Sequence, residues 1–164
     1  EIFAPVTRHA YSLDAQPIGG NQWISSPLTV IKMTLALDAE NIDNALEIGC
    51  GSGYQAAILS HLAHRVFTVE RFKTLEIHNV HVRFDDGNVG WKSYAPYDRI
   101  LLSAAARQVP QTLFNQLKNG GILVAPIKKD GKQFIVKFKK DACGKITQKT
   151  LEECLFVPLL DGIE

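Results

Sequence analysis

Short apolar runs alternate with amphipathic stretches along most of this chain, a pattern that reads as strand, helix, strand. Ser26-Pro27 has the form of a helix N-cap followed by proline at the first helical position. It predicts a helix running to about Leu37, with Val30, Ile31, Met33 and Leu35 as its apolar surface. Residues 1–24, broken by Pro5, Pro17 and Gly19-Gly20, read as irregular. Beyond Asn44 the predicted strands are residues 45–48, 65–69, 80–84, 97–103 and 122–127. Helices are expected over residues 54–63, with Ala57, Ile58 and Leu62 inward, and over residues 111–118, stopped by Gly120-Gly121. Near-continuous apolar strands separated by helices imply a parallel sheet covered on both faces. Residues 133–140 and 145–157 flank Asp141-Ala142-Cys143-Gly144 and read as an antiparallel hairpin at one sheet edge.

One junction is short. Nine residues, 71–79, separate the strand ending at Glu70 from the one starting at Val80. A parallel crossover takes about a dozen, mostly helical. The favoured reading is an omitted stretch near Leu75-Glu76, and the opening on Glu1 rather than Met reads as a lost natural start. At 164 residues the expectation is one domain. Within it, residues 1–43 cover substrate and cofactor, 44–127 form a cofactor-binding α/β core, and 128–164 form the C-terminal β-hairpin.

Composition narrows the class. Apolar residues at 46% and charged residues at 21% are ordinary for a globular chain and exclude disorder. A net charge of +1 lacks the basic footprint of a nucleic-acid binder, so no nucleic-acid partner is expected. Three cysteines, Cys50, Cys143 and Cys154, have no paired spacing, which fits a reducing, cytoplasmic compartment and gives no metal site. No apolar run approaches the roughly 18 to 20 residues that cross a bilayer, so no membrane association is expected.

The strongest local signal is Gly49, Gly51 and Gly53, placed at alternate positions between a strand and a helix. Glycine turns sharply and lets a ligand approach without a Cβ in the way. The spacing is not the Gly-x-Gly-x-x-Gly of pyrophosphate sites. Glu47 precedes the loop and faces a cationic amino-acid group through bridging groups, and Glu70, 19 residues beyond Gly51, ends the next strand where an acid takes ribose hydroxyls. Together they suit S-adenosyl-L-methionine, an adenosine carrying an ammonium and no phosphate; the competing reading of the glycines is a tight turn without a ligand. Asp85-Asp86-Gly87 follows the third strand, at the same sheet edge, in position to meet the adenine; the competing reading is a bare acidic turn.

Several separate pieces resemble the protein-L-isoaspartate O-methyltransferase family. They are Pro17-Ile18-Gly19, Gln22-Trp23-Ile24-Ser25-Ser26-Pro27, residues 46–57, Val69-Glu70-Arg71, Asp86-Gly87 before Gly90-Trp91, and Ala95-Pro96-Tyr97-Asp98. Val109-Pro110, Leu117 with Gly120-Gly121, and Phe156-Val157-Pro158-Leu159 complete them. The resemblance implies a Rossmann-like α/β methyltransferase fold with a mostly parallel seven-stranded sheet. It also implies methyl transfer from S-adenosyl-L-methionine to isoaspartyl carboxylates in damaged proteins and peptides; a monomer is expected. Cofactor contacts map to Gln22, Trp23, Ile24, Ser25, Gly49, Glu70, Asp86 and Gly87; Glu47, Gly51, Gly53 and Arg71 join them as candidates. Ser25 stands at the family's active-site serine, and Trp23 replaces a commonly small Thr.

Ser25 is expected to orient the substrate carboxylate, not to act as a nucleophile; the competing reading makes it a second helix cap. His61 and His64, three apart on the expected helix, read as solvent-facing, Cys50 as a small residue tolerated in the loop, and Trp91 as packing near the adenine edge. The rival functions are a methyltransferase of the same fold acting on RNA or a small metabolite, and a non-catalytic module that binds S-adenosylmethionine.

Overall fold

The computed structural model describes residues 13–19, 22–71 and 80–163. The expected omission within residues 71–79 therefore lies almost wholly outside the described residues. The described part of the chain begins with a small hairpin, β1 (Gln16–Gly19) and β2 (Gln22–Ile24), followed by α1 (Pro27–Leu37), β3 (Ile42–Ile48), α2 (Tyr54–Leu59), β4 (Ala63–Glu70) and β5 (Val80–Phe84). Then come β6 (Tyr97–Leu102), α3 (Gln111–Gln116), β7 (Leu117–Lys129), β8 (Lys132–Lys140) and β9 (Ile146–Cys154).

β3 to β9 form a seven-stranded sheet in the order β5-β4-β3-β6-β7-β8-β9. The first four pairings are parallel, and β7-β8-β9 is an antiparallel meander. β4 and β5 lie to one side of β3, β6 and β7 to the other. The chain therefore reverses its direction of travel at β3, which opens a crevice at the carboxyl ends of β3, β4 and β6. The mostly parallel sheet with an antiparallel hairpin at one edge is as the sequence predicts.

Strand residues serve two faces in turn. Leu46, Ile48, Phe67, Val69, Ile100 and Leu102 pack in one cluster with Leu113 of α3, while Ala45, Val66 and Leu101 pack in another with Met33 and Leu37 of α1. Complete burial of a leucine or isoleucine is worth about 1.5–3 kcal/mol, so these central strands form the rigid frame beneath the crevice.

The structure corrects several local expectations. Residues 16–24 are not irregular: Gln16 pairs with Ile24 and Pro17 with Trp23. In α1 the buried residues are Val30, Met33 and Leu37, whereas Ile31 and Leu35 are exposed, because only one stripe of the helix meets the sheet. α2 stops at Leu59 rather than at residue 63, and buries Gln55, Ala56 and Leu59 instead of Ala57, Ile58 and Leu62. Its end is set by the sheet: the Leu62 carbonyl accepts from the Asn41 amide at 3.0 Å, and Ala63 pairs with Ile42. His61 and His64 are exposed as expected, but they sit in the turn and on β4, not on a shared helical face. α3 ends at Gln116, and Gly120-Gly121 lie inside β7. β9 ends at Cys154, so residues 155–163 leave the sheet.

Candidate active site

The crevice is a cleft of about 860 Å³, its solvent mouth included. Its base is the β3–α2 loop. Gly49, Gly51 and Gly53 have φ of +90°, +52° and +80°, the left-handed region where a side chain is strained, so glycine is required by conformation as well as by space. A Cβ at Gly51 would point at Ile18 Cδ1, 3.6 Å away, so the β1–β2 hairpin lies over the loop. Gly49 and Gly51 line the cleft; Gly53 caps α2 and does not.

Glu70, 2% exposed at the end of β4, accepts from the Gly51 amide at 2.8 Å on Oε2, and on Oε1 from the Arg71 amide at 2.8 Å and Gln22 Nε2 at 3.3 Å. This one carboxylate ties the glycine loop, the end of β4 and β2 together. Glu47 is completely buried in the middle of the sheet. Thr68 Oγ1 donates to its Oε2 at 2.9 Å and Ser103 Oγ to its Oε1 at 3.1 Å. Burial pushes its pKa up to about 7; the two hydroxyl hydrogen bonds offset this only in part, and the nearby Glu70 charge adds to it.

Ser26, not Ser25, caps α1: its Oγ accepts from the Thr29 amide at 3.2 Å and pairs with Thr29 Oγ1 at 2.9 Å. Ser25 is half-buried and lines the cleft beside Gln22, Trp23 and Ile24. Trp23 is 53% exposed, so it borders the mouth.

Gly87 lines the cleft and packs so closely that a Cβ would stand 2.5 Å from Ile48 Cγ2. Asp86 does not line it. Its Oδ1 accepts from the Asn88 amide at 2.8 Å and from Asn88 Nδ2 at 2.9 Å, and its Oδ2 from the Gly162 amide at 2.9 Å. Partial burial opposes ionisation, but these donors and the Arg71 charge hold the carboxyl below its usual range. Of the cofactor and catalytic residues expected from the sequence, all but Gly53 and Asp86 meet at the cleft.

Other wall residues went unassigned: Val30 and Met33 from α1, Ser103 and Ala104 after β6, and residues 156–160. The last of these form a strap. The Ala105 amide donates to the Val157 carbonyl and the Leu159 amide to the Ala105 carbonyl, both at 2.8 Å. The Phe156-Val157-Pro158-Leu159 motif marks the strap in the sequence, but its partner Ala105 has no local signal. Cys50 lines the cleft almost buried, whereas Trp91 lies outside it, packed edge-on against Phe67 at 5.6 Å. No cluster of metal-binding side chains occurs among the described residues.

The donor set fits a phosphate-free cationic adenosine compound: two buried carboxylates flank the glycine loop, and the loop amide of Gly51 is already taken by Glu70. With the strand reversal at β3, this defines the class as an S-adenosylmethionine-dependent methyltransferase fold. A family model for protein-L-isoaspartate(D-aspartate) O-methyltransferase matches residues 1–164. A protein-L-isoaspartate O-methyltransferase of Helicobacter pylori strain J99 is 52% identical over 177 residues, covering 100% of this chain and 85% of the relative. One from Trichlorobacter lovleyi is 41% identical, covering 98% and 83%. A solved protein-L-isoaspartate O-methyltransferase superposes with a TM-score of 0.81 at 26% identity, covering 93% of this chain and 54% of that one. One from Plasmodium falciparum, in complex with S-adenosyl-L-homocysteine, has a TM-score of 0.74 at 24% identity, covering 92% and 81%. The chain belongs to the protein-L-isoaspartate O-methyltransferase family.

Proposed function

We propose that this cleft methylates the side-chain carboxylate of L-isoaspartyl residues in damaged proteins and peptides, with Ser25 orienting that carboxylate. The observation that carries the assignment is the division between adjacent serines: Ser26 fulfils the cap, and Ser25 faces the cleft that the glycine loop floors. S-adenosyl-L-methionine, when bound, supplies an electrophilic methyl group on a sulfonium. The residues that would hold it are Gln22, Trp23, Ile24, Glu47, Gly49, Gly51, Glu70, Arg71 and Gly87, with Asp86 and Gly53 supporting the loops from outside the lining.

An isoaspartyl carboxylate, with an unperturbed pKa of about 4, is ionised at neutral pH and needs no general base. The Ser25 hydroxyl donates to one carboxylate oxygen and leaves the other in line for transfer. Alignment of this kind is worth several kcal/mol of barrier, about 7–11 in the best intramolecular cases. The β1–β2 hairpin and the 156–160 strap exclude water from ions that water would otherwise stabilise separately.

In the same reading the chain is a single domain: residues 1–43 cover the cleft, 44–127 hold the cofactor and 128–164 complete the sheet and supply the strap. It acts as a cytoplasmic monomer without a nucleic-acid partner, a reading supported by the net charge of +1. Among the described residues, no helix is long and apolar enough to cross a membrane. The test is methyl transfer from labelled S-adenosyl-L-methionine to an isoaspartyl peptide and to its aspartyl twin. Transfer to the first alone is expected; equal transfer, or transfer only to RNA or a small metabolite, refutes the substrate assignment.

A further inference from the structure

Glu47 sits where no exposed acid would be placed. Its side chain is 0% exposed, it lies on the α1 face of the sheet, and among the described residues its hydrogen-bond partners are two neutral hydroxyls, Thr68 on β4 and Ser103 after β6. Both Glu47 and Ser103 line the cleft, so the buried carboxyl and the hydroxyl bonded to it border the ligand space together. A charge buried with only neutral partners is costly, and a group so placed is neutral over part of the pH range where it would be ionised in water.

Among the described residues, the other charged and titratable groups around it do not supply a compensating partner. Glu70, at the end of β4, is a like charge; the Cys50 thiol on the loop is held neutral by its own burial, with pKa pushed up; Arg71 lines the cleft but is not among the causes that shift Glu47. A cation entering the cleft changes that balance, since opposite charge nearby favours the ionised carboxylate.

We infer that Glu47 loses its proton when the cationic methyl donor enters the cleft, making it a positioning residue that favours the donor over the demethylated product. The Glu47 O–H bond breaks, the electron pair stays on the carboxylate, and the proton leaves to solvent past the Ser103 hydroxyl. The donor carries a sulfonium as well as an ammonium, and the product keeps only the ammonium. Donor binding therefore expels more of the proton than product binding does. Because Glu47 in the free protein titrates near pH 7, the release is measurable at neutral pH. The inference rests on the cleft holding S-adenosyl-L-methionine.

The experiment is titration calorimetry of the full chain with S-adenosyl-L-methionine and with S-adenosyl-L-homocysteine at pH 7, in buffers of differing ionisation enthalpy. The slope of measured heat against buffer enthalpy counts protons. The ligand's α-amino group, with a pKa near 8, contributes alike to wild type and variant, so the difference from Glu47→Gln isolates the carboxyl. Glutamine can still bond both hydroxyls. The expected difference, wild type less Glu47→Gln, is a release of up to about half a proton for the donor and less for the product. Relative to the variant, wild-type affinity for the donor should rise up to about tenfold from pH 6 to pH 8. Clear binding with no difference in proton release between donor and product in the wild type overturns the inference alone and needs no variant. Release that persists undiminished in Glu47→Gln also overturns it. Absence of any binding overturns the methyl-donor reading along with it.

Discussion

The Gly51 amide donates to Glu70 Oε2 across 2.8 Å, joining two residues 19 positions apart and fastening the turn after β3 to the end of β4. The same carboxylate accepts the Arg71 amide and the Gln22 side chain. Glu70 therefore shapes the cleft, and in the proposed function its oxygens also take a ribose. Glu70→Ala leaves two backbone donors without their acceptor, at about 1–3 kcal/mol each when buried. Affinity for S-adenosyl-L-homocysteine should drop at least about tenfold, read by calorimetry, and the melting temperature should fall with it. Unchanged affinity would remove Glu70 from the site.

Ser25 and Ser26 should separate cleanly. Ser26→Ala deletes the α1 cap, which costs about 1 kcal/mol of stability in denaturant titration and leaves turnover within about twofold of normal. Ser25→Ala should leave stability and cofactor affinity nearly unchanged and slow methyl transfer by about ten- to a hundredfold, since one hydrogen bond to a charged group is worth about 1.5–3 kcal/mol. A Ser25→Ala enzyme with undiminished turnover would refute its orienting role.

Gly87 separates the cleft from the core. A Cβ there would lie 2.5 Å from Ile48 Cγ2, on a strand that cannot retreat because its neighbours are fully buried. Gly87→Ala should cost about 1–3 kcal/mol of stability by overpacking and weaken cofactor binding. Combining it with Ile48→Ala, which removes the obstructing methyl group, should cost less than the sum of the two single changes, as a double-mutant cycle in thermal unfolding would show.

Asp98 sets a pH dependence of stability away from the cleft. Partial burial works against its charge, but Lys118 Nζ at 2.9 Å, with the Asn44 and Asp43 amides at 3.2 and 3.1 Å, holds its pKa below the usual carboxylate value. A carboxyl whose folded pKa is depressed contributes stability above its unfolded pKa, near 3.9, and loses it as pH falls through the folded value. Asp98→Asn should therefore be destabilising at pH 7, and the gap to wild type should close as the pH falls below about 4. Parallel unfolding curves between pH 2.5 and 7 would test this, and a constant gap would contradict it.

Much of this was written locally. The glycine loop was legible because left-handed φ at alternate positions must be served by glycine wherever the chain turns so tightly, and Ser26-Pro27 because a cap and its proline act within one turn. The parallel sheet showed in apolar runs buried on both faces. What the sequence did not disclose came from pairings between distant segments. The β1–β2 register, the early end of α2 at the Asn41–Leu62 hydrogen bond, and the strap on Ala105 each depend on a partner that exerts no influence until the sheet has formed. Ser103 joined Glu47 in the same way, across 56 residues. Conformational preference and hydrophobic period act over a few residues and so determined the elements. Which side chains share the cleft was decided by strand order, because only assembly of the sheet brings the carboxyl ends of β3, β4 and β6 to one place.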